Sequence, residues 1–205
     1  MQALSLSSYL IPSSFVTTEQ TIKQSRFICC LGHGEDREQL GDELKRLRDL
    51  HSRANHICWA YIAGPPGSLD RGMSDDGEPR GTAGKPMLTV LDHSGFGEIW
   101  SAVIRYFGGI KLGKGGLIRA YTSSVQQALE LVNGQEIQPM LHFQLHLDYN
   151  LLPVFEQFFG QSDVEIIERT FAEKVLLELL VPKTNILEIK QKISEISGGT
   201  IQMDC

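Results

Sequence analysis

The sequence predicts an α+β chain of two domains, the second a ferredoxin-like β-α-β-β-α-β module. At 205 residues it exceeds the ~100–150 residues at which single domains cluster. Along it, stretches of two-residue apolar alternation exchange with stretches of helical spacing, so strands and helices are interleaved. After Asn133-Gly134 the pattern restarts, and strand, helix, two strands, helix and strand follow in that order. The linker therefore falls near Gln135–Gln138, with domains at 1–137 and 138–205.

In the first domain SSFVTTEQTIKQSRFICCLGHG (13–34) reads as two strands broken between Ile22 and Ser25, rich in Val, Thr, Phe and Ile. EDREQLGDELKRLRDL carries Leu40, Leu44, Leu47 and Leu50 at helical spacing, an amphipathic helix with a charged outer face. HICWAYIA (56–63) is a compact apolar strand. The long polar loop GPPGSLDRGMSDDGEPRGTAG follows, dense in Gly, Pro and Asp. KPMLTVLDHS predicts a short helix with Pro86 in its first turn, and EIWSAVIRYF another strand. A last helix is expected from about Gly116 to Val132, with Leu117, Tyr121, Val125, Ala128 and Val132 as its apolar stripe.

In the second domain LHFQLHL (141–147) alternates as a strand, which puts His142 and His146 on one face. LLPVFEQFFG gives a short helix closed by Gly160. VEIIERTFA and KVLLELLVP are two strands joined at Ala172-Glu173. Asn185 with Glu188 makes a capping box for a helix whose Ile186, Ile189, Ile193 and Ile196 face inward. Gly198-Gly199 ends that helix, and TIQM is a final strand.

Composition narrows the class. Apolar residues make up 41% and charged residues 21%, which supports a packed core and excludes general disorder. No run approaches the ~18 apolar residues of a membrane span. MQALSLSSYLIPSS has no basic segment ahead of its apolar residues, unlike a secretory leader. A cytoplasmic protein without a membrane partner is expected. Cys29 and Cys30 are neighbours, Cys58 lies in an apolar run and Cys205 is last; no CxxC pair exists. Reduced thiols, rather than a disulfide framework or zinc site, are the expectation.

The net charge of −6 argues against indiscriminate binding to polyanions. Yet Arg80, Lys85, Arg105, Lys111, Lys114 and Arg119 stand against only Asp92 and Glu98 between 80 and 121. This basic segment holds RYFGGIKLGKGGLIRAY (105–121). A strand, a glycine-rich turn and a helix bring free amide donors and the positive helix end to one point, an arrangement that binds anions. Lys111, Lys114 and Arg119 add mobile charge. The string is not a Walker A motif, because Lys114 is followed by Gly115 rather than Ser or Thr. The plainer alternative is that Gly108, Gly109, Gly113, Gly115 and Gly116 only allow positive φ in a tight connection.

SDDGEPRGTAGKP (74–86) is the second concentration of polar chemistry. Asp75, Asp76 and Glu78 are a candidate Mg²⁺ or acid–base group, although Asp76-Gly77 and Glu78-Pro79 are also strong turn formers. Arg80, Thr82, Gly84 and Lys85 resemble a second anion-binding turn before a helix. Tyr106-Phe107, at the strand end beside the glycine loop, could stack on a base. GxSxG and HExxH are absent, so no catalytic residue is assigned.

SDDGEPRGTAGKPML together with AVIRYFGGIKLGKGGLIRAY resembles the signature of the IMPACT family, and the whole chain is similar to its bacterial members. The resemblance implies a ribosomal-protein-domain-2-like fold for the N-terminal domain and a ferredoxin-like C-terminal domain. The same pair occurs in that order as the last two domains of elongation factor G. Eukaryotic relatives modulate the amino-acid-starvation response through an additional N-terminal domain, which this chain is not expected to carry. The superfold also serves GHMP kinases, but their serine-bearing glycine loop is not matched by Gly113-Lys114-Gly115-Gly116.

The expectation is a non-catalytic nucleic-acid-binding protein, RNA- or ribosome-associated and translation-linked, with no cofactor. Its phosphate contacts would be Arg80, Lys85, Arg105, Lys111, Lys114 and Arg119, with Gly108, Gly109, Gly113, Gly115 and Gly116 allowing close approach. One alternative is an enzyme or binding protein for a small phosphorylated ligand or nucleotide, with Mg²⁺ at Asp75, Asp76 or Glu78. The other is a protein-interaction module acting through the ferredoxin-like sheet.

Overall fold

A computed structural model describes residues 8–201, which divide into two compact units, Tyr9–Ile137 and the residues from Gln138 onward. The first unit is built on a five-stranded sheet, every neighbouring pair antiparallel. Its strands are β2 (Val16–Ile22), β3 (Ser25–His33), β4 (His56–Ile62), β5 (Arg71–Ser74) and β6 (Ile99–Tyr106), in the spatial order β2-β3-β6-β4-β5. Three helices cover it: α1 (Arg37–Leu50), α2 (Gly84–Asp92) and α3 (Lys114–Leu129).

Side-chain alternation explains why β3, β4 and β6 read as continuous apolar runs. Phe27, Cys29, Leu31, Cys58, Ala60, Ile62, Ile99 and Val103 pack with Met87 and Leu91 of α2 and Leu117, Tyr121 and Val125 of α3. Their alternates Ile28, Cys30, Ile57, Tyr61, Trp100, Ala102 and Ile104 pack under Leu40, Leu44 and Leu47 of α1. Both faces are buried, so the two-residue polar rhythm of a half-exposed strand is missing. Each fully buried Leu, Ile or Phe here contributes about 1.5–3 kcal/mol.

Local chemistry fixes the connections. Lys23 and Gln24 both have positive φ, 46° and 66°, which suits the tight twisted turn between β2 and β3. Asp36 caps α1, its Oδ1 accepting from the amides of Glu38 and Gln39 at 2.9 Å each. Leu50, expected on the buried stripe, is exposed, because the stripe ends at Leu47.

Other expectations are corrected. The supposed linker is partly a strand: β7 (Gly134–Ile137) pairs antiparallel with β1 (Tyr9–Pro12), which the sequence reading did not find. Both are four residues long, and their partners lie at opposite ends of the unit, so neither has a local signal. The polar loop contains β5, and α3 begins at Lys114, two residues before Gly116.

The second unit runs β8 (Met140–Leu147), α4 (Leu152–Phe159), β9 (Glu165–Phe171), β10 (Val175–Pro182) and α5 (Ile186–Ile196). Its antiparallel sheet has the order β8-β10-β9. Phe143, Leu145, Leu147, Val175, Leu177 and Leu179 point to a core shared with Phe155, Phe159, Ile189 and Ile193. His142 and His146 stand together on the exposed face, as alternation requires. Asn185 makes no capping bond to α5; its side chain meets Thr184 and Asp163 instead, so the capping box does not form. Thr200 and Ile201 are not in a strand, and the rest of the expected TIQM strand lies outside the described residues.

Candidate anion-binding site

β6 delivers the chain to Phe107, and residues 107–113 carry it to α3. Gly108 is demanded by sterics: a Cβ there would sit 2.0 Å from the backbone carbon of Gln24. Its amide donates to Ser25 Oγ at 3.2 Å, which fastens the loop to the β2–β3 turn. Gly109 and Gly113 have φ of 86° and 74°, where other residues are strained. Gly115 and Gly116 lie inside the first turn of α3, and Gly116 packs against Leu112. The five glycines thus serve three different ends.

The two helix N-termini, alike in sequence, differ in state. At α2, Asp75 accepts from the amides of Gly81, Ala83 and Gly84 at 2.8, 3.0 and 2.9 Å. That turn, which includes Arg80, Thr82 and Lys85, already holds an anion, and the anion is the protein's own carboxylate. Burial works to raise the Asp75 pKa, but the three amides and the Arg80 charge outweigh it and hold the group below its ordinary value. At α3, Gly113 is the N-cap and, among the described residues, no side chain caps the helix. The first intrahelical bond runs from Leu117 N to Gly113 O at 2.9 Å. The amides of Lys114, Gly115 and Gly116 therefore have no intrahelical acceptor.

Beside this open helix end lies a pocket of about 480 Å³. At its base Arg105 Nη1 donates to Glu78 Oε1 at 2.5 Å. Arg105 Nη2 reaches Ser25 Oγ at 3.4 Å, and its guanidinium lies over the rings of Phe27 and Phe107 at 5.4 and 5.6 Å. The Nε of Arg105 has no hydrogen-bond partner among the described residues. Tyr121 Oη also donates to Glu78 Oε1, at 2.8 Å. Burial, then the neighbouring Cys58 and Glu78, push the Tyr121 phenol far up, so it is a neutral donor. Burial likewise pushes up the Cys58 thiol, which is no nucleophile at neutral pH. Phe107, Leu112 and Leu117 give the walls apolar area, and the exposed Lys111 and Lys114 border the opening.

The structure therefore sorts the sequence-derived residues. Lys111, Lys114, Gly113 and Arg105 line one pocket. Arg105 is corrected from a surface phosphate contact to a buried, paired group. Arg119 is exposed on α3, its Nη1 folded back towards Gly115. Arg80 and Lys85 are exposed at the start of α2 and do not line the pocket. Asn55 and His56 were missed. Asn55 Oδ1 accepts from the Phe107 amide at 2.7 Å, and His56 Nδ1 meets the Asp76 carbonyl at 2.8 Å. No local pattern around them signals this, since their partners are far along the chain.

The metal expectation for Asp75, Asp76 and Glu78 does not fit. Asp75 caps α2, Asp76 Oδ2 accepts from the Ile57 amide at 2.7 Å, and Glu78 pairs with Arg105. Three carboxylates adjacent in sequence point to three separate partners. Among the described residues, the grouping whose ligand atoms lie within 4.8 Å of one another is His33, Glu35 and Glu98, elsewhere in the unit. No helix among the described residues is long and apolar enough to cross a membrane.

Residues 23–129 match the family described as Impact N-terminal domain, and residues 145–200 match a domain of unknown function, DUF1949. The chain is 42% identical over 199 residues to "IMPACT family member YigZ" of Escherichia coli, covering 97% of this chain and 98% of that one. An "IMPACT family member" of Haemophilus influenzae is also 42% identical, over 197 residues and 96% of each chain. A solved structure titled "Crystal structure of an hypothetical protein" superposes with a TM-score of 0.74 at 42% identity, covering 96% of both chains.

Proposed function

The chain belongs to the IMPACT family, and on that premise we propose that it is a non-catalytic nucleic-acid-binding protein whose target is RNA, in association with translation. The observation that carries this reading is the uncapped N-terminus of α3, flanked by Lys111 and Lys114, neither of which forms an ion pair among the described residues. Free amides and unpaired lysines at one helix end suit a phosphate, and Arg119 one turn on suits a second along a strand. Such contacts position a backbone without reading its sequence. The paired folds that the family resemblance implies, shared with the last domains of elongation factor G, favour a ribosomal setting.

The test is binding of labelled single- and double-stranded RNA and DNA to the full chain by fluorescence anisotropy over a salt series. Single-stranded RNA is expected to bind with a logarithmic salt slope of roughly −0.7 per phosphate contacted. Replacing Lys111 and Lys114 by alanine should flatten the slope by about 0.7 for each lysine. No binding at low salt, or an unchanged slope in the double variant, would overturn the proposal.

A further inference from the structure

The pocket under the glycine loop is more than a phosphate cradle, and resting on the RNA-binding reading we infer that it takes one unstacked nucleotide of a single strand. The phosphate sits at the open end of α3 and the base lies against Phe107.

Size comes first. About 480 Å³ falls within the roughly 300–1,000 Å³ of small-molecule sites. That admits a nucleotide. Charge comes second. Glu78 is neutralised by Arg105 in the base of the pocket, which leaves Lys111 and Lys114 as the uncompensated charges, so the ligand is an anion. Beneath them the Nε of the paired Arg105, which lines the pocket, is a buried donor with no hydrogen-bond partner among the described residues.

A phosphate alone would not need the rest of the lining. Phe107, Leu112 and Leu117 contribute apolar surface, and Phe107 keeps 46% of its surface exposed. A large aromatic left open at the mouth of a cationic pocket offers a π-face for stacking. Its place is fixed, because the Phe107 amide is held by Asn55 and its ring lies over the Arg105 guanidinium. Two polar groups stand ready for a base edge. Asn55 uses its oxygen on Phe107, and among the described residues no protein acceptor takes its amide nitrogen. His56 donates through Nδ1 to the Asp76 carbonyl, which leaves Nε2 as an acceptor when the ring is neutral. A few polar groups in an apolar cleft fix orientation in small-molecule sites. A duplex keeps its bases stacked, so only a single-stranded or terminal nucleotide can enter.

The experiment is competition in the full chain. Labelled single-stranded RNA is displaced by uridine or adenosine monophosphate, by the matching nucleosides, and by inorganic phosphate. The monophosphates should compete at concentrations at least about fivefold below inorganic phosphate, the smallest advantage that one stacked base supplies. Phe107→Ala should weaken strand and monophosphate binding by roughly fivefold or more, with phosphate affinity and salt slope unchanged, and Phe107→Trp should restore it. Equal competition by phosphate and monophosphates, with the strand still bound and salt-dependent, overturns the nucleotide pocket and leaves the phosphate reading standing. Absence of any strand binding at low salt overturns both. If Phe107→Ala does not fold, competition in the unaltered protein decides alone.

Discussion

Arg105 on β6 and Glu78 on the turn before α2 form an ion pair of 2.5 Å with side chains only 6% and 3% exposed. The pair ties the central strand to the turn and forms the base of the pocket. Its burial has an energetic consequence, because two desolvated charges are tolerated only while each has the other.

Removing one partner should therefore be costly. Glu78→Leu leaves a buried guanidinium uncompensated and should lower stability by about 3–5 kcal/mol, read from urea-unfolding midpoints. Glu78→Leu combined with Arg105→Met should recover most of that loss. Glu195→Ala, which opens the exposed pair with Lys192, should leave the midpoint unchanged. A small cost for Glu78→Leu alone would show that the pair behaves like a surface bridge.

Asp75 is predicted to be a pH-dependent cap. Its folded pKa lies below the ordinary value, so its contribution is complete above the unfolded pKa of about 4. It disappears as pH falls through the depressed folded value. Asp75→Asn keeps one acceptor but loses the charge, and should cost about 0.5–2 kcal/mol at neutral pH, the usual range for a lost cap. The difference between variant and parent should shrink below pH ~4 in acid-titrated thermal melts. A constant difference at all pH values would refute the assignment.

The glycines should separate by role in a substitution series. Gly108→Ala places a methyl 2.0 Å from the Gln24 backbone and should be the most destabilising of the five. Gly113→Ala meets open space, but at φ 74° and ψ 165° it should cost about 1–3 kcal/mol. Gly115→Ala, within α3 and with Arg119 Nη1 as its nearest neighbour at 3.9 Å, should stabilise by about 0.5–1 kcal/mol. Thermal melts of the three variants give the order directly, and a Gly115→Ala variant that melts lower would contradict the helix start.

Magnesium should have no specific effect. Asp75, Asp76 and Glu78 each serve a different protein partner, so adding Mg²⁺ should move the melting temperature no more than sodium chloride of equal ionic strength. A larger shift that Asp76→Asn abolishes would return the carboxylates to a metal role.

Much of the fold was legible because periodicity is local. The leucines of α1 and the alternating residues of β8 and β10 announce their elements without reference to distant residues. The final strand expected at TIQM is not formed at Thr200 and Ile201, and its remainder lies outside the described residues. Strands β1 and β7 were invisible because four residues that pair across most of the first unit leave no pattern.

By itself the sequence determined the order of the longer strands and the helices, and the position of a basic, glycine-rich turn before a helix. Only the tertiary structure decided which of the two anion-friendly turns is open. Asp75 reaches back onto α2 and closes one, while no side chain among the described residues caps α3. It also joined Glu78 to Arg105 across 27 positions and Asn55 to Phe107 across 52. A carboxylate or an amide in a string carries the same chemistry wherever it stands. Which donor it meets, and so whether it caps, pairs or is left for a ligand, is settled by the folding that brings distant backbone together.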